Sequence, residues 1–266
     1  MSRLRLDELI LVRGLSESRE KARRLILAGE VRVNGQVADK AGALVAEDAI
    51  VELAVSPPYV SRGGLKLEHA LREFCIDVNG IVAADVGAST GGFTDCLLQH
   101  GAVRVYALDV GHGQLDWRLR QDPRVIVQEK ANVRYIVSLA EPIQFVTIDV
   151  SFISLRMVLP VVAGWLAPAG QVVALVKPQF EVGRALVGKG GVVRDPQVHR
   201  NMLLDLLTWA GETGWVLKGL TASPLLGPAG NREFLAWLGR GAAYAPDDLV
   251  MKVEQALTML PLGKGL

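Results

Sequence analysis

Apolar and polar positions follow short, changing periods up to about residue 55 and a regular strand–helix alternation after about residue 80. In the first stretch, "LDELILVRG" (6–14) has the spacing of a short helix ended by Gly14. "SESREKARRLILAG" (16–29) is a second helix, with Ala22, Leu25 and Ile26 as its apolar stripe, Ser16 as N-cap and Gly29 at C′. "EVRVNGQVA" (30–38) reads as two strand arms around Asn34-Gly35, a type I′ turn signal, and "DAIVELAV" (48–55) as another strand. The Pro57-Pro58 stretch, 56–62, is expected to be a linker.

Beyond it, seven apolar runs read as strands: "IVAADV", "RVYALDV", "RVIVQE", "FVTIDV", "QVVALVK", "WVLKGLTA" and "EFLAWL". Helical segments lie between most of them. The pattern predicts an α/β fold over 63–266, a doubly wound parallel sheet with ligands at the carboxyl ends of its strands, preceded by a small α+β unit over 1–55. The amphipathic "PDDLVMKVEQALTML" (246–260), with Leu249, Val250, Val253, Leu257 and Leu260 as its apolar side, is expected to pack on that sheet.

Composition narrows the function. The net charge of the 266 residues is +1, so a polyanion site must be a local patch. Residues 1–40 hold nine Lys/Arg against six Asp/Glu, and Arg19 and Arg23, four apart, share a helix face away from the apolar stripe. Cys75 and Cys96 are too few for a disulfide framework and are expected as reduced thiols of a cytoplasmic protein. The N-terminal "MSRLRLDELILVRG" lacks the apolar core of a signal peptide, and no run of 18 apolar residues exists to span a membrane.

The chemistry is concentrated in "DVGASTGGFTDCLL" (85–98), a glycine-rich turn between strand and helix. It has no Gly-Lys-Ser/Thr for a phosphate loop, and Gly87, Gly91 and Gly92 do not fit a dinucleotide fingerprint. Asp109, 22 positions beyond Gly87, ends the next strand and can accept both ribose hydroxyls of an adenosine. This arrangement suits S-adenosylmethionine better than NAD. Asp85 could hold the methionine ammonium, directly or through water. Asn132 either meets the adenine or caps its own loop, and Gly91 and Gly92 could instead make a tight strand–helix junction. Asp149 and Lys177 follow two other strands, Glu233 starts the last strand and Lys66 precedes the sheet, and the four could meet over one pocket. A lysine with lowered pKa, oriented by carboxylates, suits deprotonation of a ribose 2′-hydroxyl, with no metal required.

Residues 3–50 resemble the alpha-L RNA-binding module of a small-subunit ribosomal protein, tyrosyl-tRNA synthetases and pseudouridine synthases. That likeness implies that Arg3, Arg5, Arg19, Arg23, Arg24 and Arg32 face RNA phosphates and minor-groove surfaces. The "RLD" triplet, 5–7, also occurs around the pseudouridine-synthase aspartate, but here Asp7 reads as a helix N-terminal charge. Further on, "SRGGLKLEHAL", "DVGASTGGFTDCLL", "IDVSFISL", "LVKPQFEVG" and "SPLLGPAGNREFLAWL" resemble the TlyA family, whose methyltransferase domain is related to FtsJ-type ribose methyltransferases. The resemblance implies a seven-stranded Rossmann-like methyltransferase domain and S-adenosylmethionine-dependent 2′-O-methylation of cytidine in ribosomal RNA. It implies Lys66, Asp149, Lys177 and Glu233 as the catalytic tetrad. It places the cofactor turn on Gly87–Phe93, including Ser89, Thr90, Gly91, Gly92 and Phe93, with Asp109 for the ribose. Arg62, Arg184 and Lys189 are further candidate RNA contacts. The family has also been labelled haemolysin. The other readings are a non-catalytic ribosome assembly factor, an NAD-dependent oxidoreductase and, last, a membrane-lytic protein. The loop 180–196, with Arg184, Lys189 and Arg194, is expected to be mobile and to close over RNA.

Overall fold

The computed structural model describes residues 3–53, 57–241 and 246–259. They form two compact units that divide between Pro57 and Pro58. In the first, β1 (Arg3–Arg5) leads into α1 (Leu6–Val12), followed by α2 (Arg19–Leu27), β2 (Val31–Val33), β3 (Gln36–Val37), β4 (Leu44–Ala46) and β5 (Val51–Leu53). β1 pairs with β4, and β3, β2 and β5 form a small antiparallel sheet. Asn34 (φ 50°) and Gly35 (φ 80°) both take the left-handed conformation that a type I′ turn requires. Leu6, Ile10, Ala22, Ile26 and Val31 make the core between these elements. The N-cap of α2 is Ser18, whose side chain accepts from the Lys21 amide, while the expected cap, Ser16, donates to the Ser18 carbonyl. β1 and β4 are too short to show a period and were not foreseen.

The second unit begins at Pro58, inside the stretch expected as a linker. Tyr59 is buried, and the Val60 amide donates to Asp95 at 2.8 Å. Then come α3 (Gly63–Glu73), β6 (Val82–Val86), α4 (Gly92–Gln99), β7 (Arg104–Leu108), α5 (Trp117–Gln121), β8 (Val125–Gln128), β9 (Ile143–Ile148) and α6 (Leu155–Ala163). They are followed by β10 (Leu166–Val176), α7 (Pro178–Glu181), α8 (Pro196–Glu212), β11 (Trp215–Ala222), β12 (Phe234–Arg240) and α9 (Pro246–Thr258). The seven-stranded sheet has the order β11-β12-β10-β9-β6-β7-β8. Its strands are parallel except β12, which is antiparallel to both neighbours. The reversal has a local cause. No crossover helix separates β11 from β12, so they pair antiparallel, whereas parallel neighbours need a long crossover.

Helices cover both faces, so the central strands are buried on two sides and read as continuous apolar runs. On one face α6, α8 and α9 pack through Val158, Leu159, Leu203, Leu206, Val253 and Ala256. On the other, α3, α4 and α5 pack through Leu67, Leu71, Leu97 and Leu119. Each such valine or leucine stabilises the fold by about 1.5–3 kcal/mol. α9 packs as expected, with Ala256 taking the inward place expected of Val250; Leu260 lies outside the described residues. The chain leaves β6 toward β7 on one side and reaches β9 on the other. That is a topological switch point, where the carboxyl ends of strands open a crevice.

Candidate active site

Two adjoining cavities occupy that crevice. The larger, about 530 Å³, is lined by Gly87, Ser89, Asp109, Gln114, Asn132 and Phe152 among others. The smaller, about 290 Å³, is lined by Arg62, Lys66, the turn residues Gly87–Thr90, Gly92 and Phe93, and by Lys177 and Pro228. Gly87, Ser89, Asp149 and Ser151 belong to both.

The turn after β6 is shaped by close approach. Gly87 has φ 86°, and a Cβ there would collide with the Asp149 carbonyl at the end of β9. Gly91 (φ 96°) is the N-cap of α4 and packs against Leu115 and Leu119. It serves as a strand–helix junction and does not line the cavities. Asp109 accepts from the Ser89 amide at 2.8 Å and from the Gly111 amide at 2.6 Å, which ties the ends of β6 and β7 together. Beyond Asp109, the loop that brings Val110 and Gln114 to the cavity wall is held by Glu129, which accepts from the Gly113 amide and pairs with Arg120 and His112. Those donors, the Gly113 amide foremost, hold the Glu129 carboxyl down at about 2. Asn132 lines the cavity and also caps its own turn, accepting from the Arg134 amide.

The expected contact of Asp85 with a ligand ammonium is corrected. Its carboxylate is fully buried, accepting from the Thr94 amide and hydroxyl on one oxygen and from the Thr147 hydroxyl on the other. It lines neither cavity. Burial without a cation pushes its pKa up to about 7.

Lys66, Asp149, Lys177 and Glu233 form two ion pairs. Lys177 Nζ lies 2.6 Å from Asp149 Oδ1 and donates to Ser151 Oγ at 3.1 Å. Lys66, in the first turn of α3, lies 2.6 Å from Glu233 Oε2 just before β12. Lys66, Asp149 and Lys177 line the smaller cavity, and Glu233, 1 % exposed, reaches it only through Lys66. Ser151 was missed in the sequence although it stands two residues after Asp149. Gln114, which receives the Ser89 hydroxyl, was missed as well, and its only signal is its place five residues after Asp109. Glu181 was also overlooked. It accepts from the Ser154 hydroxyl (2.6 Å) and the Leu155 amide (2.8 Å), joining the loop after β10 to the loop after β9.

The loop 180–196 is more anchored than expected. Asn231 accepts from the Val193 amide and donates to the Gly191 carbonyl, and Val192 and Val193 are buried. Arg184 and Lys189 are exposed on it, as is Arg62 at the cavity rim. In the first unit, Arg3, Arg23, Arg24 and Arg32 are exposed. Arg5 and Arg19 are half committed elsewhere, because both donate to the buried Asp7 at 3.1 Å.

A seven-stranded Rossmann-like sheet with one reversed strand, and its crevice at the strand ends, is the architecture of methyltransferases. Residues 59–240 match the FtsJ-like methyltransferase family and residues 4–51 the S4 domain, and the chain belongs to the FtsJ-like methyltransferase family. It is 49% identical over 261 residues to a provisionally named rRNA methyltransferase, YqxC, of Bacillus subtilis, covering 94% of this chain and 92% of that one. It is 46% identical over 240 residues to the 16S/23S rRNA (cytidine-2′-O)-methyltransferase TlyA of Mycobacterium tuberculosis, covering 89% and 90%. A solved structure from Streptococcus thermophilus, known under a provisional hemolysin name, superposes with a TM-score of 0.72 at 45% identity over 96% of both chains. The resemblance to the TlyA family drawn from the motifs therefore holds. Among the described residues no helix is long and apolar enough to cross a membrane.

Proposed function

We propose that this protein transfers a methyl group from S-adenosylmethionine to the 2′-hydroxyl of cytidine in ribosomal RNA. The observation that carries the reading is the meeting of the Lys177–Asp149 pair and Lys66 on one cavity, next to the glycine turn. The relatives' activity agrees with it. The larger cavity fits the cofactor: Gly87 leaves backbone bare at its wall, and Asp109 and Asn132 present oxygen acceptors beside it. Gly87, Ser89, Asp109 and Asn132 would hold the cofactor, with Thr90, Gly92 and Phe93 toward the substrate side. When bound, S-adenosylmethionine supplies an electrophilic methyl group.

The chain's own residues do the rest. Lys177 takes the proton of the 2′-hydroxyl at Nζ, and Asp149 and Ser151 aim that nitrogen. The Lys66–Glu233 pair places a second lysine on the same cavity. Holding the hydroxyl in line supplies much of the rate. The exposed arginines of the S4 unit, with Arg62, Arg184 and Lys189, neutralise RNA phosphates, and a ribosomal substrate puts the enzyme in the cytoplasm.

The test is transfer of labelled methyl to ribosomal subunits that lack the modification, followed by alkaline hydrolysis. A 2′-O-methyl ribose protects its own phosphodiester, so label is expected in alkali-resistant dinucleotides. Lys177→Ala should abolish the transfer while leaving cofactor binding in calorimetry intact. Label released as mononucleotides would mean base methylation and would sink the assignment.

A further inference from the structure

A third cavity, about 340 Å³, lies beside the active site. It is lined by Val192, Val193, Arg194, His199, Ala229, Gly230 and Arg232 among others. Its floor is the turn that follows β11. Pro228 of this turn lines the smaller active-site cavity, while the next two residues line the third cavity. Consecutive residues of one short turn therefore wall both cavities, which makes them neighbours along it. The turn is rigid. The Gly227 amide donates to the Asn231 carbonyl and the Gly230 amide to the Gly227 carbonyl, both at 2.8 Å. Asn231 pins the opposite wall at Val193 and Gly191, and Glu233, two residues on, holds Lys66.

The charge in this cavity lacks a counter-ion. Among the described residues neither Arg194 nor Arg232 has a carboxylate partner. The Arg232 Nη2 group donates to the carbonyls of Ala256, Leu257 and Met259 at the end of α9, and its Nε is buried with no partner at all. Asp195, next to Arg194, accepts from the Gln197 amide as N-cap of α8, and Glu233, next to Arg232, is paired with Lys66. His199 is buried and donates to the Val193 carbonyl, and burial lowers its pKa. Two guanidinium groups on one concave wall, neither paired with a carboxylate among the described residues, match a phosphate better than a neutral ligand.

We propose that this cavity seats the RNA phosphodiester adjacent to the target ribose, so that the anchored turn fixes the distance between that phosphate and Lys177. The proposal rests on the RNA reading above. Arg194 supplies the exposed fork. Arg232 supplies a fixed positive potential and keeps α9 in place. One phosphate caught there orders the substrate strand before chemistry and lowers KM, with little effect on the catalytic step.

The experiment uses the full chain with ribosomal subunits that lack the modification. Arg194→Ala and Arg194→Lys are compared with the native protein for RNA affinity over a salt series, for KM and kcat of methyl transfer, and for thermal stability. Arg232 is left alone because its removal would uncap α9. One lost phosphate contact should reduce the slope of log K against log salt by about 0.7–0.9. KM for RNA should rise about tenfold in Arg194→Ala, with kcat, Tm and cofactor affinity unchanged and partial recovery in Arg194→Lys. An unchanged slope and KM would overturn the proposal even if methyl transfer is robust. A reduced slope in a protein that transfers no methyl would support the site and overturn the catalytic reading alone. Inorganic phosphate, titrated at constant ionic strength, is the last arm: binding that needs Arg194, with RNA affinity indifferent to it, would assign the cavity to a free anion and reject the RNA phosphodiester.

Discussion

Asp85 shows how little a residue's identity says about its direction. Its position at the end of β6 was legible, and a ligand contact was the natural reading. The structure turns the carboxylate inward to Thr94, nine residues on, and Thr147, on the neighbouring strand. Strand periodicity reveals which face a side chain takes but not which hydroxyl waits there. The consequence is a pH effect. The folded pKa is raised to about 7, against about 3.9 in the unfolded chain. The native state therefore keeps a proton that the unfolded chain has lost. The stabilising contribution is complete below about pH 4 and is lost as pH rises toward 7. Asn can replace both hydrogen-bonding roles without charging. Asp85→Asn should therefore lose less stability than the native protein between pH 5 and pH 8, by about 1–3 kcal/mol. Urea unfolding at the two pH values measures it, and equal losses would show that Asp85 does not titrate in this range.

Among the elements, the long and two-sided ones were readable and the short ones were not. All seven strands of the sheet show as apolar runs because helices cover both faces. β1 and β4, three residues each, carry no pattern, and β12 reads the same in either direction, so its reversal was not visible. The candidate site was legible in its charged members, at strand ends and in the first turn of α3, and not in Ser151, Gln114 or Glu181. Glu181 makes the testable case. Burial raises its pKa, and its two oxygens accept from the Ser154 hydroxyl and the Leu155 amide. It thereby fastens the loop carrying Asp149 and Ser151 to the segment carrying Lys177. Glu181→Ala should slow single-turnover methyl transfer roughly 10- to 100-fold with RNA binding retained. Glu181→Gln should restore most of the rate, since an amide can accept from Leu155 and donate to Ser154. A slow Gln variant would show that the charge matters and not the fastening.

At the scale of the whole chain, the change of period near residue 60 located two units, although the boundary falls a few residues before the expected linker ends. The units differ in what light can see. All five tryptophans, at 117, 165, 209, 215 and 237, belong to the second. Tryptophan fluorescence therefore reports the methyltransferase unit, while far-ultraviolet circular dichroism reports both. Asp7 provides a lever on the first alone. It is buried, and the Arg5 and Arg19 guanidiniums hold its carboxyl down at about 2. Its contribution is present above about pH 4 and is lost only as pH falls through about 2. Asp7→Ala leaves both half-exposed arginines without their acceptor and should cost the first unit about 2 kcal/mol at pH 7. An earlier dichroism transition is expected, with the fluorescence midpoint unmoved. A shift of both midpoints would mean that the units unfold as one.

The contact between Gly87 and the Asp149 backbone has an evolutionary consequence. The wall of the larger cavity, proposed for the cofactor, and the loop orienting the proposed base meet in the same few atoms. A laboratory selection for a bulkier cofactor analogue, or for a different nucleophile, cannot enlarge residue 87 without pushing on the end of β9. Either change drags the other with it. New variants should therefore arise by exchange at outer positions such as Gln114 or Asn132, which line the larger cavity away from the end of β9.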